Sequence, residues 1–383
     1  MINLSNSFFD ELRHIGDVKT DAMVDGLIQS GQIKNTNELL RLITHNNDLL
    51  PAALPDELEL WFRETSIIPA WVEADRVQRA RDFFHQYGLV ISLILSTASL
   101  IDCFAGKKGV KVLVKTGILH NKTYIRLIET AQFVFNIMEP DGLEPKGKGI
   151  ISIQKVRLMH TATRRLIIAD RDDPWDQDEL GLPICQEDLL GTLMSFTTLV
   201  FDCMEKLNIK FSAEEAEDYY YIWRMIAEML GIQKELIPET LNEARQMMSF
   251  IAKRQFGPSA EGILMTRTLI KMFDELIPGH IADGHLHEFM RHLVGDEIAD
   301  WMEIPRLKEH GIFGLISNMK FFKAIDYIFM RESYLNKLCI DLILKAMHFE
   351  RRDQPLFIIP DHLRTAWDAY DYSTEAAPEK EET

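Results

Sequence analysis

The sequence predicts an all-α protein built as a single large helical domain. Three long segments repeat apolar residues every three to four positions, which is the period of an amphipathic helix. They span residues 121–138, 149–170 and 212–231. The 383 residues show no internal repeat and no array of short alternating segments of the kind that builds a β-sheet. The chain is 46% hydrophobic, which is enough to bury a sizeable core.

Charge and cysteine content restrict the classes of function. The 42 Lys and Arg residues against 59 Asp and Glu residues give a formal net charge of −17. This charge argues against a nucleic-acid-binding protein and against docking on an anionic membrane. The four cysteines are Cys103, Cys185, Cys203 and Cys339, and none forms a CxxC pair. Neither a disulfide framework nor a structural zinc site is expected, and a reducing compartment fits.

The N-terminal sequence MINLSNSFFDELRHIGD lacks the basic and apolar regions of a signal peptide. The longest uncharged run, residues 86–101, is shorter than the ~20 residues that a membrane-spanning helix needs, and it contains several hydroxyl side chains. We interpret it as a buried helix, with a membrane-contacting helix as the alternative. The expected location is the cytoplasm, and no transmembrane segment is predicted.

Residues 1–68 are predicted to form short helices separated by polar breaks. One helix is expected to begin near Asn35, with Glu38 three residues later as in a capping box. This part carries no motif with recognisable chemistry, and we interpret it as a wrapper around the remainder. Further along, the glycines of residues 103–117 indicate a helix end and a turn. The KKGVK sequence within this segment lacks the glycine spacing and the GK[ST] ending of a phosphate-binding loop.

The helix predicted over residues 121–138 carries polar residues at one end of its packing stripe. Arg126, Thr130, Phe133, Val134 and Ile137 share one face at helical spacing. A cation on a packing face needs a partner. Either Arg126 forms an ion pair inside the protein, or the guanidinium and the Thr130 hydroxyl hold an anionic or oxygen-bearing ligand. The sequence leaves both readings open.

The segment of residues 138–149 is predicted to be a loop from its Pro and Gly content. It joins the helix of residues 121–138 to the helix of residues 149–170. A connection of about ten residues indicates that the two helices are antiparallel neighbours. Thr130 and His160 are then expected to face the same space from two sides.

His160 is a lone imidazole in the middle of an apolar helix face. Ile153, Val156, Thr163 and Ile167 complete that face at 3.6-residue spacing, whereas the arginines of this helix lie off it. One interpretation is a core histidine that hydrogen-bonds a backbone carbonyl. The other is an axial metal ligand, presented from a rigid helix into a dry pocket.

The remaining segments offer weaker signals. The acidic loop of residues 171–183 lacks the glycine and closing Glu of an EF-hand and is expected to be solvated. Ser212 and Glu215 form a capping box for an aromatic-rich helix. His287 and His292 are five residues apart, which is unsuited to one metal on one helix face, so a pH-responsive surface is the preferred interpretation.

Several segments together resemble the rubber oxygenase/MpaB-type oxygenase catalytic domain family, which includes the bacterial latex clearing proteins. They are KVRLMHTATRR at 155–165, RLIET at 126–130, PICQEDLLGTLMSF at 183–196, YYIWRMIAEMLGI at 220–232 and the segment 95–117. Their order and spacing make the resemblance more specific than any one motif.

The resemblance implies an all-helical fold with a globin-like core that holds haem b. His160 would be the proximal iron ligand, and Arg126 and Thr130 would lie on the pocket side of their helix. Arg164 is included with these residues as predicted to bind the cofactor. The predicted divisions are a wrapper at 1–68, an oxygenase-like haem-binding core at 69–305, C-terminal helices at 306–372 and a disordered acidic tail at 373–383.

The chain also departs from the family pattern. Glu129 stands where latex clearing proteins place a lysine just before the threonine, and residues 105–116 contain no acidic side chain that could act as a base. No secretion signal is recognised. Rubber is therefore a poor substrate prediction, and Glu129 is our candidate for distal acid or base work beside Arg126 and Thr130.

The expected function is a haem b-dependent oxygenase that uses O2 on a hydrophobic isoprenoid- or lipid-like molecule. Two alternatives stay open: a haem-binding sensor, carrier or peroxidase-like protein without oxygenase turnover, and a cofactor-free helical interaction protein in which His160 is a core residue. The sequence does not assign the oligomeric state.

Overall fold

The computed structural model describes residues 4–36, 39, 54–116, 123–276 and 285–306, and within these ranges it describes only the backbone of 123–129, 275–276 and 285. Over this part of the chain the protein is built from helices and has no strand. One isolated antiparallel bridge joins Gly106 and Phe256. The all-α prediction is confirmed.

The described helices are numbered here in chain order. They are α1 (Asn6–Leu12), α2 (Val18–Gln29), α3 (Asp56–Thr65), α4 (Ala74–Ile94), α5 (Leu100–Ala105), α6 (Val110–Lys115), α7 (Thr123–Met138), α8 (Lys148–Ala169), α9 (Gln177–Leu180), α10 (Gln186–Phe196), α11 (Thr198–Lys206), α12 (Ala213–Met229), α13 (Leu241–Gln255), α14 (Ala260–Leu276), α15 (His285–Val294) and α16 (Asp296–Trp301). A π-helical turn (Leu95–Ser99) connects α4 to α5, and a 3₁₀ turn (Lys234–Leu236) precedes α13.

The uncharged run of residues 86–101 lies in the continuous helical stretch formed by α4, the π turn and α5. By length and composition this stretch, Ala74–Ala105, is the one candidate membrane span among the described residues, and 61% of its most apolar window is buried inside the protein. Thr97 donates its hydroxyl to the Leu93 carbonyl oxygen at 2.6 Å, and Ser99 donates to the Ser195 carbonyl oxygen of α10 at 2.6 Å. The run therefore packs largely as a core helix.

The buried apolar residues of the described chain form two hydrophobic cores. The main core gathers the apolar faces of α4, α5, α7 and α10–α16, with the aromatic side chains of Tyr219, Tyr220 and Phe201 fully buried in it. The second core lies between the N-terminal helices and α8, where Trp61 and Phe62 pack with Leu158. α8 takes part in both cores, since its Ile150 and Ile153 belong to the main core.

Local signals in the sequence located both ends of α12. Ser212 and Glu215 form the expected reciprocal capping box at the start of α12. Gly231 follows that helix with φ of +93°, a backbone conformation that favours glycine. The predicted partner Glu38, Cys339, the C-terminal helices and the acidic tail lie outside the described residues, and the domain boundaries at 68/69 and 305/306 stay predictions.

Candidate cofactor site around His160

α7 and α8 pack together as a helical hairpin joined by residues 139–147, as the loop length predicted. Asn136 near the end of α7 donates its side-chain amide to the Ser152 hydroxyl of α8 at 2.8 Å. Close backbone approach requires glycine here: a Cβ on Gly149 would lie 2.6 Å from the Gly142 carbonyl oxygen and 2.8 Å from that of Asn136. The hairpin therefore has a fixed, tight turn at this end.

His160 lies near the centre of α8, where the helix becomes less buried. Above and below it, Ile153 and Ile167 are fully buried, and Thr163 is 5% exposed. The imidazole itself is half-buried, as is the Val156 side chain one turn before it. The predicted stripe is thus buried at both ends and more open in the middle, at the imidazole.

Thr130 on α7 is half-buried, as is Phe133, and Val134 and Ile137 further along the same face are more deeply packed. Val134 is 3% exposed and Ile137 is fully buried in the main core. The side chains of Arg126 and Glu129 lie outside the described residues. That Arg126, Glu129 and Thr130 share one space with His160 therefore stays a prediction.

Arg164 is anchored within the protein by all three guanidinium nitrogens. Its side chain is 4% exposed. Nε donates to the Pro183 carbonyl oxygen at 2.9 Å, Nη2 to that of Ile184 at 2.8 Å, and Nη1 to Asp21 Oδ1 at 2.5 Å. This bonding ties α8 to α2 and to the loop before α10. Direct cofactor binding by Arg164 stays a prediction, and its contribution in the structure is to hold α8 in place.

Arg157, one turn before His160, forms a buried bidentate ion pair with Asp17. Nε and Nη2 donate to the two carboxylate oxygens at 2.5 and 2.9 Å, and Nη1 donates to the Met229 carbonyl oxygen at 3.2 Å. Burial alone would raise the pKa of Asp17, but the hydrogen bonds and charge of Arg157 hold that pKa below its ordinary value. Asp17 also caps α2 by accepting from the Thr20 amide at 3.2 Å.

A third pair of the same kind joins Arg165 to Asp25 nearer the surface, where the two side chains are 30% and 47% exposed. We call Asp17, Asp21 and Asp25 the aspartate ladder. The pKa of Asp21 is raised because its burial outweighs the attraction of Arg164. The sequence interpretation placed the arginines of α8 off the His160 stripe but did not identify these partners, because they lie in the segment interpreted as a wrapper.

A second buried acid lies outside the His160 region. Asp102 on α5 is 3% exposed, and its Oδ1 atom has no hydrogen-bond partner in the described structure. Burial raises the pKa of Asp102 to about 7; the positive charge of Lys206 lowers this pKa, and the negative charge of Asp202 raises it. In the sequence Asp102 is a single acid in an apolar segment, and no residue pattern there indicates that its carboxyl is buried.

The residues around His160 fit the axial ligand set of a haem iron. Among the described residues no group of three or more His, Cys, Asp and Glu side chains could hold a metal ion. A haem iron takes only one or two axial ligands from the protein. A half-buried imidazole on a helix anchored by ion pairs before and after it in the sequence, with the half-buried hydroxyl of Thr130 on the adjoining helix, is a donor set of that kind.

Comparisons with known proteins relate the chain to one family of oxygenases. The family described as "ER-bound oxygenase mpaB/B'/Rubber oxygenase, catalytic domain" matches residues 88–313. A rubber oxygenase from Streptomyces sp. (strain K30) is 25% identical over 296 residues, which is 76% of this chain and 72% of that protein. The solved "Structure of Latex Clearing Protein LCP in the closed state" superposes with a TM-score of 0.65 at 22% identity, covering 94% of this chain and 89% of that one. The matched residues include α7 and α8, and with them Thr130 and His160.

Proposed function

Because the chain belongs to the family of the ER-bound oxygenase mpaB/B' and rubber oxygenase catalytic domains, we propose that it is a haem b-dependent oxygenase that uses O2 to oxidise a hydrophobic substrate. Membership supports an oxidoreductase of the oxygenase type. The cofactor, the axial role of His160 and the substrate class are our proposals.

One observation carries the proposal: the half-buried imidazole of His160 in the middle of a helix that is mostly buried and held by ion pairs. Haem, when bound, supplies the O2 chemistry that no side chain offers. The chain would contribute the iron ligand, an environment that excludes water and a fixed orientation. The rigid α7–α8 hairpin and the half-buried apolar side chains Phe133 and Val156 support the last two roles.

The polar residues of α7 have proposed roles beside the cofactor. Arg126 and Thr130 would stabilise negative charge near the iron through a guanidinium and a hydroxyl. Glu129, which precedes Thr130, would take up or release a proton on the distal side. The similar protein from Streptomyces sp. (strain K30) is a rubber oxygenase, whereas we propose a smaller isoprenoid- or lipid-like substrate and a cytoplasmic location for this chain.

The decisive experiment is the UV–visible spectrum of protein expressed with added haem precursor, with His160→Ala and His85→Ala side by side. His85 lies exposed on α4, so its removal controls for the loss of any imidazole. The expected result is a strong Soret band in the wild type and in His85→Ala that is lost or shifted in His160→Ala. A pyridine haemochrome spectrum would identify haem b.

O2 consumption over a panel of isoprenoids and lipids then separates the two haem-containing possibilities. Substrate-dependent uptake by the haem-loaded wild type supports an oxygenase. Bound haem without any uptake would favour a haem-binding sensor, carrier or peroxidase-like protein, for which the Glu129 departure is the motivating observation. Wild-type protein that stays colourless after haem reconstitution would refute the cofactor assignment.

A further inference from the structure

The aspartate ladder places three carboxylates of the N-terminal segment opposite the arginines of α8. Asp21 and Asp25 lie four residues apart on one face of α2, and Asp17, four residues before Asp21, is the N-cap of that helix. Their partners are Arg157, Arg164 and Arg165. His160 lies between the first two partners, three residues after Arg157 and four residues before Arg164.

The Asp17–Arg157 and Asp21–Arg164 ion pairs border His160 on the same side of α8. At about 100° per residue, Arg157 is about 60° and Arg164 about 40° from His160 around the α8 axis, in the same direction. Both arginines are buried, with side chains 11% and 4% exposed. These two ion pairs therefore hold the edge of α8 that lies next to the imidazole.

Each of these two arginines also binds a second element. Arg157 reaches the Met229 carbonyl oxygen at the end of α12, and Arg164 reaches the Pro183 and Ile184 carbonyl oxygens before α10. The space around the Asp17–Arg157 pair is filled, since a Cβ on Gly231 would lie 2.7 Å from Asp17 Cγ and 2.9 Å from Arg157 Nε. Bonds in several directions leave α8 little freedom to rotate or slide at this point.

From this geometry we propose that Asp17 and Asp21 are positioning residues that act through Arg157 and Arg164 to fix the orientation of the His160 imidazole. The N-terminal helices would thereby set how firmly a group bound to His160 is held. The inference rests on the proposed axial role of His160.

The physical argument concerns rotation of α8. A side-chain atom lies roughly 6 Å from the axis of its helix, so a rotation of 10° displaces it by about 1 Å, which is enough to loosen a metal ligand. Removing the charge of Asp17 leaves the buried Arg157 without its counterion, and the helix can relieve that cost by turning the guanidinium toward water. The imidazole moves with it.

The test compares Asp17→Asn and Asp21→Asn with Asp25→Asn. Asn keeps the size of the side chain and can still cap α2 at position 17, but it removes the charge and leaves one oxygen acceptor in place of two. Asp25→Asn is the matched control, because Asp25 lies on the same helix in the same kind of pair but nearer the surface. Haem-loaded protein is mixed with excess apomyoglobin, and the transfer of haem gives the dissociation rate; the Soret maximum is recorded alongside.

Asp17→Asn is expected to raise the haem dissociation rate at least about ten-fold, the effect typical of lost groups that orient a metal ligand, and to shift the Soret maximum. Asp21→Asn should act in the same direction, and Asp25→Asn should stay within about two-fold of the wild type. Ser212→Ala, which removes the cap at the end of α12 opposite the Met229 contact, shows whether lower stability alone changes the rate.

Two outcomes would overturn the proposal while the proposed function stands: equal dissociation rates and spectra for all three Asn variants, or an equal rise in the rate with Ser212→Ala. If circular dichroism shows that Asp17→Asn does not fold, Asp21→Asn and Arg157→Lys decide the matter, since Lys keeps the charge without the bidentate geometry. Wild-type protein without a Soret band would instead refute the proposed function, and the positioning role with it.

Discussion

Gly149 at the start of α8 packs against Gly142 in the preceding loop so closely that the amide of Ile150 donates to the Gly142 carbonyl oxygen at 3.0 Å. No side chain fits between them. This contact sets the spacing of α7 and α8, the two helices that carry Thr130 and His160.

Gly149→Ala is expected to lower the free energy of unfolding by about 1–3 kcal/mol, because the new Cβ must push the two backbones apart. Urea unfolding followed by circular dichroism measures it. Gly191→Ala is the matched control: its Cβ would meet only Ile251 Cγ2 at an ordinary 3.6 Å, so better helix propensity should leave stability unchanged or raised. Equal losses for both variants would contradict the tight packing of the hairpin.

Asp102→Asn is expected to raise stability at pH 8 and to flatten its dependence on pH. The folded pKa of Asp102 is raised from 3.8 to about 7 by burial. Below about pH 4 the carboxyl is neutral in both the folded and the unfolded chain. Between about pH 4 and pH 7 the carboxyl ionises in the unfolded chain but stays neutral in the folded chain, so the free energy of unfolding falls as the pH rises. Above about pH 7 the carboxyl is ionised in both states, and the loss of stability is constant.

The expected gain at pH 8 is on the order of 1–3 kcal/mol, less than the roughly 4 kcal/mol that the full shift would give, because the Asn amide brings donors of its own into the site. Urea unfolding from pH 4 to pH 8 measures it. Asp82→Asn, on the exposed face of α4, should follow the wild-type profile. A wild-type profile for Asp102→Asn as well would show that the buried carboxyl does not control stability in this range.

Glu129→Gln tests the proposed distal acid or base. The expected result is a normal Soret band with O2-dependent turnover lowered at least about ten-fold, because a positioned proton donor or acceptor contributes 10²–10⁴-fold to such a step. Spectra and oxygen-electrode rates on the same sample separate binding from turnover. Turnover equal to that of the wild type would exclude Glu129 from proton transfer.

Ser212→Ala is expected to lower the free energy of unfolding by about 1 kcal/mol, because it removes the side-chain acceptor for the Glu215 amide at the start of α12. Ser212→Asp, which keeps an acceptor and adds a favourable charge at the helix N-terminus, should restore most of it. Failure of the Asp variant to restore stability would mean that the cap contributes little here.

The parts of the fold that depend on neighbouring residues could be predicted from the sequence. The extents of α7 and α8, the capping box at Ser212 and the hairpin between the two helices all follow from spacing and loop length within a short stretch. The apolar run of residues 86–101 was also interpreted correctly as largely buried. The π turn within it, where Ser99 donates to the Ser195 carbonyl oxygen of α10, was not foreseen, since no local pattern indicated it.

What depends on distant partners could not be predicted. The wrapper was expected to carry no chemistry, yet Asp17 lies 140 residues from Arg157 in the sequence and is its partner in the structure. Periodicity placed the arginine off the apolar stripe but could not say what it faces. Likewise, the buried position of Asp102 follows from the meeting of α5 with other helices, which spacing along the chain does not reveal.

The participation of α8 in both cores has a consequence for the order of folding during synthesis. α2 leaves the ribosome long before its partner: at 5–20 residues per second, the 140 residues between Asp17 and Arg157 take about 7–28 s to make. During that interval Val24 and Leu27 have no α8 to cover them. The carboxylates of the same helix would then serve the nascent chain as charges that keep a waiting apolar segment from aggregating.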